Sequence, residues 1–295
     1  MNKVLNKPVS ALGQQKIEWA KLAHSALQGE RTALETLCQH LRRYTYNAAL
    51  RLVLCPEEAE DLTQEVMIKV ITNLGSFDEK KAAFTTWVYT ILRNALFDMK
   101  PGRLEKVTQS FEEYGQALDD IPSREMGNLS PEEELLVKEA NAGCMLGMLL
   151  CLERSQRLIY VLGDILGVDH QAGGAICEIS PANFRQKLSR ARRDLYNFMN
   201  NKCGLVNKSN PCRCSRKTRG FIEAGWVNSK NLQFANEHYQ NKKIFSEEQA
   251  DELCDFTQLY GDMFKALPQY DSDQKLVSVN ELLEDEKVKN LFSLN

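Results

Sequence analysis

The 295-residue chain lacks the features of a membrane-spanning or exported protein. No apolar run approaches the ~18 residues that a membrane span needs. The first residues, MNKVLNKPVSALGQQ, lack the apolar stretch of a signal peptide. We therefore expect a cytoplasmic protein without membrane insertion. Only eight prolines and sixteen glycines are present, which speaks against an all-β or collagen-like chain.

Catalytic signatures are also absent from the sequence. The four histidines are scattered, no phosphate-binding glycine loop is present, and no Ser-His-Asp or Cys-His arrangement can be recognised. The nine cysteines are odd in number, and most fall in helical patterns, so a disulfide scaffold is not expected. We predict that the protein is not an enzyme.

The net charge of −3 conceals an alternating pattern. Residues 1–100 and 141–200 each carry +2, whereas residues 101–140 carry −6. Residues 201–244 carry +7 and residues 245–295 carry −8. Such blocks suit a protein with nucleic-acid-binding surfaces joined by acidic connectors.

Apolar residues recur at helical spacing over the first hundred residues. Residues 12–54 read as helix, with a break at Gly29, and Pro56 is placed to open the next helix. A third helix is predicted from Phe84 to Met99. The chain is therefore predicted to begin with a helical bundle.

The second half begins with an irregular stretch. Residues 101–130 are acidic and lack a sustained period, which indicates a linker. Ser130 is a helix-start signal, and helical patterns follow over 131–153 and 155–166. Residues 169–199 then read as helix, tight turn and helix.

The second helix of that pair has the stronger pattern. Ser180 is a good N-cap and Pro181 suits the first helical position. Its predicted inward stripe is Phe184, Leu188, Ala191 and Leu195. Its predicted exposed basic residues are Arg185, Lys187, Arg190 and Arg193. This layout is typical of a helix-turn-helix.

The chain changes character after residue 200. The stretch NKCGLVNKSNPCRCSRKTRG is basic and rich in Asn and Cys, and is not helical by pattern. Residues 246–266 and 278–293 read as acidic amphipathic helices.

Three segments in this order resemble the extracytoplasmic-function class of bacterial RNA polymerase sigma factors: AEDLTQEVMIKV, FTTWVYTILRNALFD and ISPANFRQKLSRARRDL. The resemblance covers roughly residues 15–200. It implies a mainly α fold, with a region-two helical bundle and a region-four helix-turn-helix joined by a flexible linker, plus a small C-terminal extension. The corresponding bounds are 12–100, 101–130, 131–200 and 201–295.

Two features depart from the family pattern. The tight turn carries Glu178 where a glycine is usual, and Glu there must tolerate a strained backbone or the turn must differ. The preceding helix, HQAGGAI, contains two adjacent glycines and should be weak.

The resemblance implies a sigma factor that binds core RNA polymerase and directs promoter-specific initiation. Asp61, Gln64 and Glu65 share one helix surface and would meet the polymerase clamp. The alternative is a solvated helix face with favourable N-terminal charges. An anti-sigma factor is a further partner that the class allows.

Promoter melting requires unstacked bases to be held on aromatic faces in a cationic groove. The residues that we predict for this task are Phe77, Lys80, Trp87, Arg93 and Asn94. Trp87 is the best candidate at the DNA surface, although a tryptophan at the core edge is the alternative.

The second helix of the helix-turn-helix is predicted to bind duplex DNA. Asn183, Arg185 and Gln186 lie near its start and are assigned to base readout. Lys187, Arg190 and Arg193 are assigned to phosphates. A solvated basic helix is the alternative.

Cys203, Cys212 and Cys214 are candidate metal ligands. Three thiolates can serve zinc, although structural zinc sites usually have four ligands and the spacing is not a common zinc pattern. Neighbouring basic residues such as Arg213 and Lys217 would favour thiolates. No cofactor is required for the sigma-factor activity.

Two rival functions remain at the sequence level. One is a stand-alone helix-turn-helix transcriptional regulator, which leaves AEDLTQEV unexplained. The other is a thiol- or metal-sensing interaction protein whose tail dominates.

Overall fold

The computed structural model describes residues 11–107, 110–124, 129–235, 239–240, 263–264 and 269–270. Within them the chain is mainly helical, which confirms the predicted fold class. A two-stranded antiparallel sheet pairs β1 (Tyr239–Gln240) with β2 (Gln269–Tyr270), with Tyr239 opposite Tyr270. No helix in these ranges is both long and apolar enough to cross a membrane.

The first bundle contains four helices: α1 (Ala11–Leu27), α2 (Arg31–Val53), α3 (Pro56–Thr72) and α4 (Phe84–Asp98). Gly29 separates α1 from α2 with a φ of 87°, as its position in the sequence predicted. Pro56 opens α3 after the extended residue Cys55, again as predicted. A short 3₁₀ turn over Leu74–Ser76 follows α3.

Apolar side chains from all four helices form the core of the first bundle. Leu62, Val66 and Val70 recur every four residues along α3, and all three are buried in this core. An aromatic group joins α1, α2 and α4, with the Trp19 ring 5.7 Å from Phe84 and the Tyr44 ring stacked 5.5 Å from Tyr89. These contacts hold α4 firmly in place.

The stretch between the two bundles is more ordered than the sequence indicated. Residues Arg103–Val107 form α5 and Phe111–Asp120 form α6, in place of the irregular linker expected over 101–130. Ser110 caps α6 by accepting a hydrogen bond from Glu113 N at 3.1 Å. Tyr114 of α6 is buried, and its hydroxyl donates to Cys144 O at 3.0 Å. Short amphipathic helices gain stability from such packing, so a weak period did not predict them.

The second bundle contains α7 (Pro131–Leu150), α8 (Arg154–Tyr160), α9 (His170–Cys177) and α10 (Pro181–Lys202). Ser130 begins α7 with a capping box completed by Glu133. Helix α8 continues into a π-helical turn over Val161–Ile165. Asp169 caps α9 and Ser180 caps α10 through their side chains.

The two glycines in α9 allow α9 and α10 to approach closely. A Cβ at Gly173 would overlap the ring of Phe184, which is fully buried. A Cβ at Gly174 would lie 2.8 Å from Ile179 O in the turn. The pair that weakens α9 in isolation is therefore required for its packing against α10.

The segment after residue 202 packs against the second bundle. Residues Cys214–Glu223 form α11, contrary to the non-helical reading of the sequence, and α11 packs against α7. Lys217 is buried and donates to Leu118 O at 2.8 Å and also to Ile121 O. The Glu139 carboxylate accepts backbone N–H groups from residues 233–235 at 2.7–2.8 Å. The acidic helices predicted over 246–266 and 278–293 lie outside the described residues, apart from residues 263–264.

Candidate polymerase and nucleic-acid interface

The predicted polymerase-binding residues lie on the outer surface of α3. Asp61 is exposed and Gln64 and Glu65 are half-buried, while Leu62 and Val66 beside them are in the core. Glu65 Oε1 accepts a hydrogen bond from Lys69 Nζ at 2.7 Å, one turn along the helix. The surface is therefore acidic at its N-terminal end and charge-balanced at its C-terminal end.

Sequence reasoning missed an apolar residue on this surface. Ile68 follows Asp61 by seven residues and Gln64 by four, so it lies on the same helix surface. It is 52% exposed, whereas its neighbours Met67 and Ile71 are buried. Interface centres combine apolar anchors with a polar surround. Ile68 was not recognised from the sequence because α3 is rich in apolar residues. Their spacing alone does not show which isoleucine is buried and which is exposed.

Phe77 and Trp87 are brought together at one end of α4. Both rings are half-buried, and their centroids are 5.6 Å apart at an angle of 44°. Phe84 lies behind them in the core, with its ring 5.1 Å from Phe77 and 5.6 Å from Trp87. Lys80 is exposed in the adjoining loop, where its backbone N–H donates to Asp78 Oδ1 at 3.0 Å. The aromatic pair and the lysine form an open, cationic-aromatic edge.

Arg93 and Asn94 lie further along α4, away from the aromatic pair. The Arg93 guanidinium donates to Asn94 Oδ1, at 3.0 Å from Nε. Its Nη2 also donates to Glu178 Oε1 at 2.7 Å, across the gap between the two bundles. This hydrogen bond raises the pKa of Arg93 and lowers that of Glu178. The five residues predicted for single-stranded DNA are therefore divided between two places.

The buried and exposed sides of α10 agree with those predicted from the sequence. The inward residues Phe184, Leu188, Ala191 and Leu195 are all buried. The predicted DNA-binding residues Arg185, Gln186, Arg190 and Arg193 are exposed, and Asn183 and Lys187 are half-buried. A row of basic and amide side chains thus lies along the exposed side of α10. The N-cap and the buried apolar residues of this helix hold it in place.

Arg192 lies on the same helix but is engaged within the protein. Its Nε is 2.8 Å from Asp164 Oδ2 and 3.0 Å from Asp164 Oδ1, and its Nη2 also reaches that carboxylate. Asp164 belongs to the π-helical turn after α8. This fork-like pair joins α10 to that turn, so Arg192 orients the helix.

The three candidate metal-binding cysteines converge on one cavity of about 400 Å³, which Cys144 also lines. Cys203 and Cys212 face each other in a parallel bridge, with Gly204 N 3.1 Å from Cys212 O. Asn141 Nδ2 donates to Cys214 Sγ at 3.3 Å.

Three of the thiols that line this cavity are shifted toward their neutral form. Burial raises the pKa of Cys144. It also raises the pKa of Cys203 against the opposing effect of Arg213, and that of Cys212 against the opposing effects of Lys217 and Arg213. The expectation that basic neighbours favour thiolates was therefore wrong for Cys203 and Cys212. Among the residues that the structure describes, no group of three or more His, Cys, Asp and Glu side chains is arranged to hold a metal ion. The predicted ligand set is not found.

Comparisons with known proteins agree with the arrangement of the first bundle. Residues 37–101, from α2 to the end of α4, match the Sigma-70 region 2 family. The chain is 27% identical over 168 residues to the ECF RNA polymerase sigma factor SigE of Mycolicibacterium smegmatis, covering 56% of this chain and 60% of SigE. It is 28% identical over 137 residues to the ECF RNA polymerase sigma factor SigM of Bacillus subtilis, covering 46% of this chain and 77% of SigM.

Over these residues the chain is similar to extracytoplasmic-function sigma factors. It spans less than two thirds of SigE, the first of these relatives. Among solved structures, it resembles the sigma factor RpoE from Bartonella quintana in complex with the anti-sigma factor NepR, with 21% identity, 54% of this chain and 91% of RpoE covered, and a TM-score of 0.37. The family match falls on the bundle that carries the α3 surface and the aromatic edge of α4.

Proposed function

We propose that this protein binds core RNA polymerase and directs promoter-specific initiation of transcription. The observation that carries the proposal is the coincidence of the region 2 match with a bundle that exposes Asp61 and Ile68 on α3. The polymerase supplies the chemistry, and this chain supplies recognition. Because it acts on the polymerase, it works in the cytoplasm.

Each surface has a distinct task in this proposal. The α3 surface docks on the polymerase clamp through Asp61, Gln64, Glu65 and Ile68. The edge formed by Phe77, Trp87 and Lys80 holds unstacked bases, with Arg93 and Asn94 on the backbone of the same strand. The exposed side of α10 binds the distal promoter element, with Asn183, Arg185 and Gln186 reading bases and Lys187, Arg190 and Arg193 on phosphates.

The domain bounds follow from these tasks. We assign region two to residues 12–100, the linker to 101–130, region four to 131–200 and the C-terminal extension to 201–295. Helices α6 and α11 support region four from the sides, because Lys217 joins α11 to the end of α6. An anti-sigma factor would have to cover the α3 surface or α10 to inhibit this chain.

The decisive experiment is run-off transcription with core polymerase over a genomic promoter library. We expect discrete start sites that require this protein. A stand-alone helix-turn-helix regulator would bind DNA without forming a stable complex with core polymerase in gel filtration, and that result would refute the proposal.

The α3 surface provides a sharper test of clamp docking. Asp61→Ala with Glu65→Ala should weaken core binding about fivefold, as loss of about 1 kcal/mol of interface energy does. Glu134→Gln, which removes one exposed acidic charge from α7, is the matched control. Unchanged affinity of the double variant in fluorescence anisotropy would remove these residues from the interface.

A further inference from the structure

The cavity of about 400 Å³ lies between the second bundle and the segment that follows it. Its walls come from the end of α6, from α7, from the end of α10 and from α11, and Met263 adds a side chain from farther along the chain. Protein interiors hold few voids larger than a water molecule, whereas ligand pockets begin at about 300 Å³. The cavity therefore has the size of a small-molecule site.

The walls of this cavity are mostly apolar. Four methionines line it, two from α7, one from α10 and Met263, together with two phenylalanines. Cys144 and three further cysteines contribute thiols, which pack as small apolar groups. Because thioether and thiol groups adapt to irregular shapes, such walls suit the apolar body of a ligand.

One buried charge interrupts the apolar walls. The Lys217 side chain is 7% exposed and lines the cavity. Its ammonium group donates to Leu118 O at 2.8 Å and to Ile121 O, and so caps the C-terminal end of α6. An ammonium group has three donors. Within the part of the chain that the structure describes, these two carbonyl groups are the acceptors of Lys217, so one donor is left for a ligand.

The charge of Lys217 is only partly balanced. Among the described residues, Asp119 is the one carboxylate that lines the cavity, and it is paired with Lys202 where both side chains are partly exposed. The carbonyl groups at a helix C-terminus supply about half of an elementary negative charge. Since a buried charge without a full counter-charge is costly, an anionic ligand would stabilise this site.

A second donor lies on the same wall of the cavity. Asn141 is 8% exposed, and its Nδ2 uses one of two N–H groups to donate to Cys214 Sγ at 3.3 Å. Cys214 precedes Lys217 by three residues on α11, so their side chains share one side of that helix. Two donors match the two oxygens of a carboxylate. A phosphate, with a charge near −2, would exceed the one positive charge that is available.

We propose that this cavity binds a small apolar molecule with a single carboxylate, whose apolar body lies among the methionines and whose carboxylate is held by Lys217 and Asn141. The ligand would lie between α7 and α11 and would stabilise the packing of α11 against the second bundle. The inference goes beyond the proposed function and does not depend on it, because the residues assigned above to polymerase and DNA do not line the cavity.

The experiment uses the full chain and three probes with the same alkyl chain: decanoate, decan-1-ol and decyltrimethylammonium. Isothermal titration calorimetry measures each affinity below the concentration at which the probe forms micelles. We expect a single decanoate per chain, bound about tenfold more tightly than decan-1-ol, because a hydrogen bond to a charged group contributes roughly this factor. We expect no binding of decyltrimethylammonium, since its cation would be repelled by the Lys217 ammonium group.

Three variants test the role of Lys217. Lys217→Met keeps the size of the side chain and removes its charge, so decanoate should bind about tenfold more weakly while decan-1-ol binds at least as well. Lys217→Arg keeps the charge and should retain the preference for decanoate. Lys230→Met removes an exposed lysine of the same segment and is the matched control.

Leu205→Trp tests the place of the site without changing Lys217. Leu205 is buried and lines the cavity, and the larger indole should fill space that the apolar body of the ligand needs. This variant should lose the binding of both decanoate and decan-1-ol, while its circular dichroism spectrum matches that of the wild type. It carries the test, together with Lys217→Arg, if Lys217→Met does not fold.

The other outcomes would overturn the proposal. Equal affinities of the wild type for decanoate and decan-1-ol, or an unchanged preference in Lys217→Met, would mean that the cavity has no anion site. Unchanged binding by Leu205→Trp would place the site outside the cavity, and no binding of any probe would mean that the cavity is not a ligand site. A chain that binds decanoate as expected but fails in run-off transcription would refute the proposed function alone.

Discussion

Arg157 shows how a single charged side chain is kept inside this molecule. It is 1% exposed and pairs with Glu105, which also binds Arg154, with Arg154 Nε 3.0 Å from Glu105 Oε1. Burial raises the pKa of Glu105, but the two guanidinium groups outweigh that effect and the net pKa is lowered. Burial likewise lowers the pKa of Arg157, which Glu105 opposes. The carboxylate therefore holds two arginines that would otherwise be poorly compensated.

Glu105→Gln should destabilise the protein by about 3 kcal/mol at pH 7, because it leaves Arg157 buried without a full counter-charge. The folded-state pKa of Glu105 lies below its unfolded value of about 4.3. Its contribution is thus present above pH ~4.3 and is lost as the pH falls through the folded-state pKa. In urea unfolding, the free energy of unfolding should differ between wild type and variant at pH 7, and this difference should become smaller below pH 4. An equal difference at both pH values would contradict this account.

On α10, neighbouring arginines are expected to have different effects. Arg185→Ala should change base preference at one or two positions, whereas Arg193→Ala should weaken binding to all sequences and reduce the salt slope by about 1. Arg192→Ala is the internal control, because its partner is Asp164 and its loss should affect stability more than DNA contacts. Binding measured across a set of duplexes and salt concentrations distinguishes the three. If Arg185→Ala and Arg193→Ala both lowered the affinity for all DNA sequences alike, the assignment of separate base-reading and phosphate-binding residues on α10 would be wrong.

At the scale of elements, the junction of α9 and α10 depends on Gly173. Gly173→Ala should destabilise the protein by about 1–3 kcal/mol, because the new methyl group overlaps the Phe184 ring in a packed core. Gly143→Ala in α7 is the matched control, since its Cβ would meet Phe234 Cε2 at an ordinary 3.8 Å. There the higher helix propensity of alanine should leave stability equal or raised. Thermal unfolding tests both, and similar effects at the two positions would show that Phe184 does not limit the space.

These elements also show what the sequence could predict. Helices α2, α3, α4 and α10 were predictable because a wide apolar stripe, a proline or a serine cap defines each one. Helices α6 and α11 were not, because only ten residues form each and their stability comes from distant partners such as Cys144 O and Leu118 O. The buried and exposed sides of α3 and α10 could be predicted from the spacing of their apolar and polar residues. The Arg93–Glu178 pair joins residues 85 positions apart, which no local pattern reveals.

At the scale of the whole molecule, the segment after Met199 packs against the second bundle as a structural part of it. Several basic residues of this stretch are engaged within the protein. Lys217 is buried on carbonyl groups at the end of α6, Arg213 Nη1 donates to Asn210 O at 2.6 Å, and Arg219 pairs with Glu133 at 3.3 Å. The positive charge of residues 201–244 thus contributes to folding as well as to the surface.

Truncation after Met199 tests this role. The deletion removes α11 and exposes Phe198 and Leu118, and it leaves the buried Glu139 carboxylate without its three backbone donors. An unpaired buried carboxylate and lost apolar burial each cost at least 1–3 kcal/mol, so the truncated chain should unfold at a clearly lower temperature. Glu139→Gln in the full chain should reproduce part of the loss, since an amide oxygen accepts more weakly than a carboxylate. If the segment instead served only to shield DNA-binding residues, the truncated protein would keep its unfolding temperature and bind duplex DNA more tightly at low salt.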